Sequence, residues 1–149
     1  MKLEEEIKQK KFRNEFHKLA VNLIFTNSWL MSHQTALFKE YDITAAQYNV
    51  LRILRGQYPS PASVNLLKER MLDKMSDASR LVDRLLAKEL VERKICPDDR
   101  RRVEVKITSE GLKILEEIDK SDNDFDKKLK SLSVAEAKNL NELLDKLRG

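Results

Sequence analysis

Between residues 73 and 107 the apolar positions change period, and that change sets the architecture of the chain. Ala78, Leu81, Val82, Leu85 and Leu86 recur at i, i+3, i+4, i+7 and i+8, which puts them on one face of a helix. Ser76, Asp77, Ser79, Arg80, Asp83 and Arg84 fall off that face and look outward. Asp73 is placed to cap the helix start, because a short carboxylate accepts the unpaired N–H groups of a first turn. Past Leu90 the period drops to two. Val103, Val105 and Ile107 alternate with Glu104 and Lys106, the pattern of a half-buried strand. Ahead of that strand, Cys96-Pro97-Asp98-Asp99 favours a turn, and Arg100, Arg101 and Arg102 follow at once. The stretch therefore predicts one helix and a two-stranded ribbon with a basic tip.

Upstream, no glycine occurs before Gly56 and no proline before Pro59, so the pattern predicts a largely helical N-terminal part. Phe16, Leu23, Leu30 and Leu37 repeat every seven residues, and Phe12 and Leu19 form a second row. Glu4, Glu5 and Glu6 suit the start of one long first helix. Such a helix outruns what one small domain can cover, which points to a dimer helix. Tyr41-Asp42-Ile43 is a break, and Thr44 with Gln47 makes a capping box. The helix that follows is expected to bury Tyr48 or Val50, Leu51 and Leu54 and to end near Gly56. After the stiff Pro59-Ser60-Pro61, Ser63 caps a short helix from Val64 to Met71, with Leu66, Leu67 and Met71 inward. Two short helices joined by a tight turn, the second with a polar free face, form a helix-turn-helix unit. Thr108 opens another helix, with Leu112, Leu115 and Ile118 inward. Ser121 to Lys130 holds only Phe125 and Leu129 as apolar anchors, which predicts a thinly packed helix or a break. Ser133 and Glu136 box the start of a last helix, striped by Leu140, Leu143, Leu144 and Leu147.

Composition adds limits. At 149 residues the chain has the size of one domain, and 41% apolar residues can build its core. No stretch approaches a membrane span, and MKLEEEIKQKK lacks a signal-peptide core, so a cytoplasmic protein without a membrane partner is expected. The lone Cys96 excludes an internal disulfide framework and a cysteine-based zinc site. A net charge of +4 is modest, but its distribution is not even. Residues 93–106 carry Arg93, Lys94, Arg100, Arg101, Arg102 and Lys106 against Asp98, Asp99 and Glu104, whereas acids outnumber bases from 107 onward. A helix with short polar side chains beside an arginine-tipped ribbon suits double-stranded DNA. The helix can enter the major groove, and the tip can reach phosphates or the minor groove. Catalysis has little support. His17 and His33 share the first helix with no carboxylate or thiol placed beside them, three glycines make no phosphate loop, and no cofactor is expected. Cys96 lies beside Arg93 and Lys94, and nearby cations favour the thiolate, which opens an alternative reading as a redox-responsive regulator.

Asp99-x-Arg101-x-x-x-Val105-x-Ile107-Thr108 resembles the wing motif of MarR-type transcriptional regulators, DxRxxxVxLT. Ser79-Arg80-Leu81-Val82-Asp83-Arg84-Leu85 looks like their recognition helix, and Thr108-Ser109-Glu110-Gly111 like the start of their next helix. The ordered match runs from about Val21 to the C-terminus. The resemblance implies a mainly α protein: a winged helix-turn-helix of five to six helices with a small β-hairpin wing and a helical dimerisation region. In this scheme 1–149 is a single domain, 41–107 the DNA-binding lobe, and 1–40 and 108–149 the dimerisation helices. It implies a homodimeric repressor on a pseudo-palindromic site, with a winged-helix adaptor that binds protein instead of DNA as the competing class. Ser76, Asp77, Ser79, Arg80 and Arg84 are then candidates for base edges or phosphates. Arg101 is the candidate for the minor groove, Arg100, Arg102 and Lys106 for phosphates, and Asp99 for holding Arg101 or a nearby arginine in place. The family's peroxide sensors carry their cysteine in the first helix, where this chain has none. Many members bind phenolic or other aromatic acids between the dimer helices and the DNA-binding lobe. Trp29, His33, Tyr48 and Arg52 are the candidates for such an effector site. The family commonly has glycine where Asp42 and Glu89 stand, so both turns must close on a residue with a side chain.

Overall fold

Hydrogen-bonding side chains sit where the pattern places the helix starts, and they define most of the element boundaries. The computed structural model describes the backbone of all 149 residues and the side chains of all but residues 122–125. In chain order it contains α1 (Leu3–Glu6), α2 (Glu15–Lys39), α3 (Ala45–Gln57), β1 (Ala62–Ser63), α4 (Val64–Arg70), α5 (Ala78–Ala87), β2 (Val91–Ile95), β3 (Val103–Ile107), α6 (Ser109–Asp119), α7 (Asp122–Leu129) and α8 (Val134–Arg148). Thr44 and Ser133 each accept the N–H three residues on, while Gln47 and Glu136 reach back, completing both boxes. Ser63 caps α4 and Thr108 caps α6 in the same way. Each such cap is worth about 1 kcal/mol.

The N-terminal helix is not continuous. α1 is one turn, Lys8 is left-handed (φ 52°), and α2 begins only after Asn14, which accepts from the His17 N–H. The pattern missed this break because neither glycine nor proline marks it. A polar run, 8–11, carries the reversal instead, and Glu4 pairs with Lys18 across it. α3 ends at Gln57, close to Gly56 as expected, with Tyr58 as its C-cap, since Pro59 disfavours helical backbone at the residue before it.

Both turns that lack glycine keep the left-handed geometry. At Glu89 (φ 59°) the Leu90 N–H donates to the Leu85 carbonyl and the Glu89 N–H to that of Leu86, the pairing of a Schellman cap. At Asp42 (φ 54°) Ile43 and Asp42 donate to Phe38 and Lys39 in the same pattern. Lys88 at the foot of α5 spans both turns: its ammonium donates to the Asp42 carbonyl and to Gln47 Oε1 (3.4 Å). That ties the end of α2, the start of α3 and the end of α5 together.

The strands form one antiparallel sheet in the order β1-β3-β2, with Val91 opposite Ile107 and Ala62 opposite Val105. The two-residue β1 was not readable as a strand, because it is shorter than one period of alternation. The core lies between this sheet and α3, α4, α5 and α6: Val50, Leu51, Leu54, Leu67, Val82, Leu85, Val105 and Leu115 are sealed there. Gly111 of α6 is fixed by that packing. A Cβ on it would lie 2.5 Å from the Leu90 carbonyl oxygen and 2.7 Å from Ile107 Cγ1. Arg55 of α3 forks onto Asp119 of α6 at 2.7 and 3.3 Å.

The outer helices are thinly covered. α2 buries only Phe38 fully and leaves Phe16 82% and Ile24 72% exposed. α8 buries nothing, and Leu143 and Leu147 are more than half exposed. Residues 122–129 are helical, as one of the two expected alternatives had it. The expected anchor Phe125 lies outside the described side chains. Among the described residues, no helix is long and apolar enough to cross a membrane.

Candidate nucleic-acid interface

The recognition helix is presented by the turn that leads into it. Asp73 does not cap α5, contrary to the sequence expectation. The cap is Asp77, whose carboxylate accepts the Arg80 N–H at 3.2 Å. Asp73 lies four residues earlier and organises the turn instead: it accepts the Met75 N–H (2.9 Å) and the Ser76 hydroxyl (2.6 Å). These bonds, the hydroxyl first, hold its carboxyl below the usual aspartate range. Leu72 N–H donates to Asn49 Oδ1 of α3 (2.9 Å), and Lys74 caps the last carbonyls of α4.

α5 then turns Ala78, Leu81, Val82 and Leu85 into the core. Ser79, Arg80, Asp83 and Arg84 are exposed on the opposite face. Of the candidates for base edges and phosphates, Ser79, Arg80 and Arg84 share this open face. Asp77 is exposed but occupied as a cap, and Ser76 is half-buried with its hydroxyl donated to Asp73.

The wing stands beside this face. Its loop is closed by Cys96 N–H to the Arg102 carbonyl (3.0 Å) and Arg102 N–H to the Asp99 carbonyl (2.9 Å). Asp99 Oδ1 accepts the backbone N–H of Arg101 at 3.0 Å, so the carboxylate fixes the chain that carries the arginine rather than its guanidinium. Arg100, Arg101 and Arg102 are exposed at the tip. Lys106 is not at the tip. It sits opposite Glu92 at the sheet root, half-buried, with its ammonium 5.7 Å from the centre of the Tyr58 ring. Four residues of strand put it about 13 Å from Arg102.

One contact escaped the sequence pattern. Arg93 of β2 pairs with Asp83 of α5 at 2.8 Å, linking the wing root to the recognition helix. The two residues belong to different elements with different periods, so no spacing rule could join them.

Cys96 behaves opposite to expectation. Desolvation, then the Glu104 carboxylate beside it, push its thiol up, and Arg102 offsets this only in part. The register explains the error: Glu104 lies across from Lys94, which brings an acid as well as a base to the cysteine's surroundings. The local cations are therefore outweighed around the thiol.

The four effector candidates split. Tyr48 and Arg52 line a groove of about 790 Å³ between α2, α3 and the 71–73 turn, with Arg52 donating to the Tyr48 hydroxyl at 2.9 Å. Tyr48 also stacks on Phe38. Trp29 lines a separate hollow of about 310 Å³ under α1, and His33 packs edge-on against it with Nδ1 2.7 Å from the Trp29 carbonyl oxygen.

The family model described as MarR family matches residues 43–103. A MarR mutant from E. coli, solved in complex with operator DNA, is 30% identical over 93% of this chain and 99% of its own, with a TM-score of 0.79. The chain belongs to the MarR family. A MarR transcription factor from Planctomyces limnophilus is 28% identical over 91% of this chain and 98% of its own, with a TM-score of 0.69. Bordetella bronchiseptica BpsR, whose DNA binding is regulated by 6-hydroxynicotinic acid, shares the fold at 24% identity over 86% of this chain and 99% of its own, with a TM-score of 0.66. A search of curated proteins found no match. Within the MarR frame, the glycine positions filled by Asp42 and Glu89 keep their backbone shape here, so the departures leave the recognition helix and wing in place.

Proposed function

We propose that this chain is a transcription regulator that binds pseudo-palindromic double-stranded DNA as a homodimer, represses by occupying its site, and is released by a small effector. The observation that carries this reading is the open face of α5, with Ser79, Arg80 and Arg84, standing beside a wing whose three arginines are exposed. α5 has the size and polarity to enter the major groove, while Arg101 reaches the narrower minor groove and Arg100 and Arg102 meet phosphates. Two copies place two such helices about one helical turn of DNA apart.

The exposed leucines of α8 and the exposed apolar residues of α2 supply the dimer surface. The E. coli relative solved on operator DNA supports the DNA partner. Effector control is supported by the groove at Tyr48 and Arg52, whose volume suits a small organic molecule. The protein would act in the cytoplasm, without enzymatic activity. The test is selection of bound sequences from a random duplex pool, followed by mobility shifts of the selected site across a salt series. A two-fold-symmetric site bound with steep salt dependence is the expected result; no retained sequence, or binding blind to sequence, would overturn it.

A further inference from the structure

We infer that the groove between α2, α3 and the 71–73 turn takes an amphipathic organic amine, and that such a ligand releases DNA by competing for the Asp73 carboxylate. This rests on the effector-controlled reading above and names the ligand class and the coupling.

Of the residues that line the groove, Asp73 alone carries a carboxylate. Met31, Met71, Leu72 and the Tyr48 ring give the groove a soft apolar part, and Asn27, Gln34 and Asn49 add uncharged polar groups. Methionines adapt to an aromatic or aliphatic body, and a carboxylate at one end selects a protonated amine over an acid of the same shape. Asp73 is also the organiser of the turn. Both of its oxygens are engaged, one by the Met75 N–H and one by the Ser76 hydroxyl, and Asp77, the cap of α5, follows directly. The same turn is tied to α3 through Leu72 and Asn49, one helical turn before Arg52. A ligand N–H that binds Asp73 therefore draws on the bonds that set the entry to the recognition helix. A carboxylate ligand would instead sit toward Arg52 and leave the turn intact.

The probes are tryptamine and indole-3-propionate, which share a ring and a two-carbon tether and carry opposite charges at neutral pH. Binding to the full chain is measured by calorimetry, operator affinity by mobility shift, and opening of the turn by amide hydrogen exchange at Met75 and Ser76. Tryptamine is expected to bind at least tenfold tighter, to weaken operator binding at least tenfold, and to speed exchange at Met75. Asp73→Asn, which keeps an acceptor for the Met75 N–H but not the carboxylate charge, should bind tryptamine no more tightly than indole-3-propionate by calorimetry; Asp73→Ser keeps that acceptor too and serves if the Asp73→Asn variant fails to fold. Release by indole-3-propionate alone overturns this inference and leaves effector control standing. Tryptamine binding without faster exchange at Met75 overturns the coupling. Operator binding that neither probe alters overturns the inference together with the groove's role, while the DNA-binding reading survives.

Discussion

Glu89 is the residue where local preference and tertiary demand conflict. A left-handed backbone costs an L residue about 1–2 kcal/mol, and Glu89 holds φ 59° because Leu90 must enter the core immediately after it. Glu89→Gly removes that cost but frees the unfolded chain by about 0.4–1 kcal/mol. The expected net gain is about 0.5–1 kcal/mol, or roughly 1–4 °C in melting temperature at this chain length. Asp42→Gly should change little, because aspartate tolerates the same conformation and its carboxylate faces Lys88 only at 3.6 Å on the surface. Thermal melts at fixed protein concentration check both, and a lower melting temperature for Glu89→Gly would refute the strain argument. Cys96 gives a second prediction at this scale. Its folded-state thiol is raised by desolvation and Glu104, so the thiolate is scarcer in the native protein than in the unfolded chain at every pH below that raised value. Alkylation near pH 7.5 should be slower for native protein than for denatured protein, the gap should close as pH rises through the thiol's range, and Cys96→Ser should bind DNA like wild type. Rapid native alkylation, with loss of DNA binding on mild peroxide, would restore the cysteine as a sensor.

At the scale of elements, a surface ion pair between Asp83 and Arg93 links α5 to the root of the wing. The proposed function gives the charges of the wing separate tasks. On that reading Arg101→Ala removes a minor-groove contact and should cost about 1–3 kcal/mol per protomer and lower the salt slope by about 1 for each. Lys106→Ala should cost less and act equally on all sequences, since Lys106 packs over Tyr58 at the sheet root and not at the tip. Asp99→Ala is the decisive case. Plain electrostatics requires tighter binding when an acid near phosphate is deleted, whereas loss of the bond to the Arg101 N–H loosens the tip and weakens binding. Operator affinities of the three variants across a salt series, with the fold checked by circular dichroism, separate the two; tighter binding by folded Asp99→Ala would remove the positioning role.

For the whole molecule the question is what covers α2 and α8. A monomer leaves Phe16, Ile24, Leu140, Leu143 and Leu147 largely in water, which costs hydrophobic free energy that an apolar partner surface would recover. A second copy can bury these faces. Leu144→Glu with Leu147→Glu should therefore yield monomer, aggregate or unfolded protein, while the wild type sediments as a dimer at micromolar concentration. A wild-type monomer at that concentration would sink the proposal. Arg55 and Asp119 tie α3 to α6, which shares the core with the sheet and leads on to α7 and α8.

Local physics decided much of this protein before any fold existed. A capping side chain acts within four residues, and apolar period reports the face of a single element, so Thr44, Ser63, Thr108, Ser133 and the buried stripe of α5 were legible from the chain alone. The arginine tip was legible for the same reason, being one contiguous run. What depended on distant partners was not. Asp73 and Asp77 are equally good caps by composition, and only the path of the turn gives the helix to Asp77 and the turn to Asp73. The raised Cys96 thiol needed the register that sets Glu104 near it. The need for glycine at 111 also depended on the fold, which sets the Leu90 carbonyl oxygen 2.5 Å from where a Cβ would stand. Asp83 meets Arg93, and Trp29 parts from Tyr48, only because packing chooses which faces approach, and that choice is made by the summed burial of the whole core rather than by any one segment.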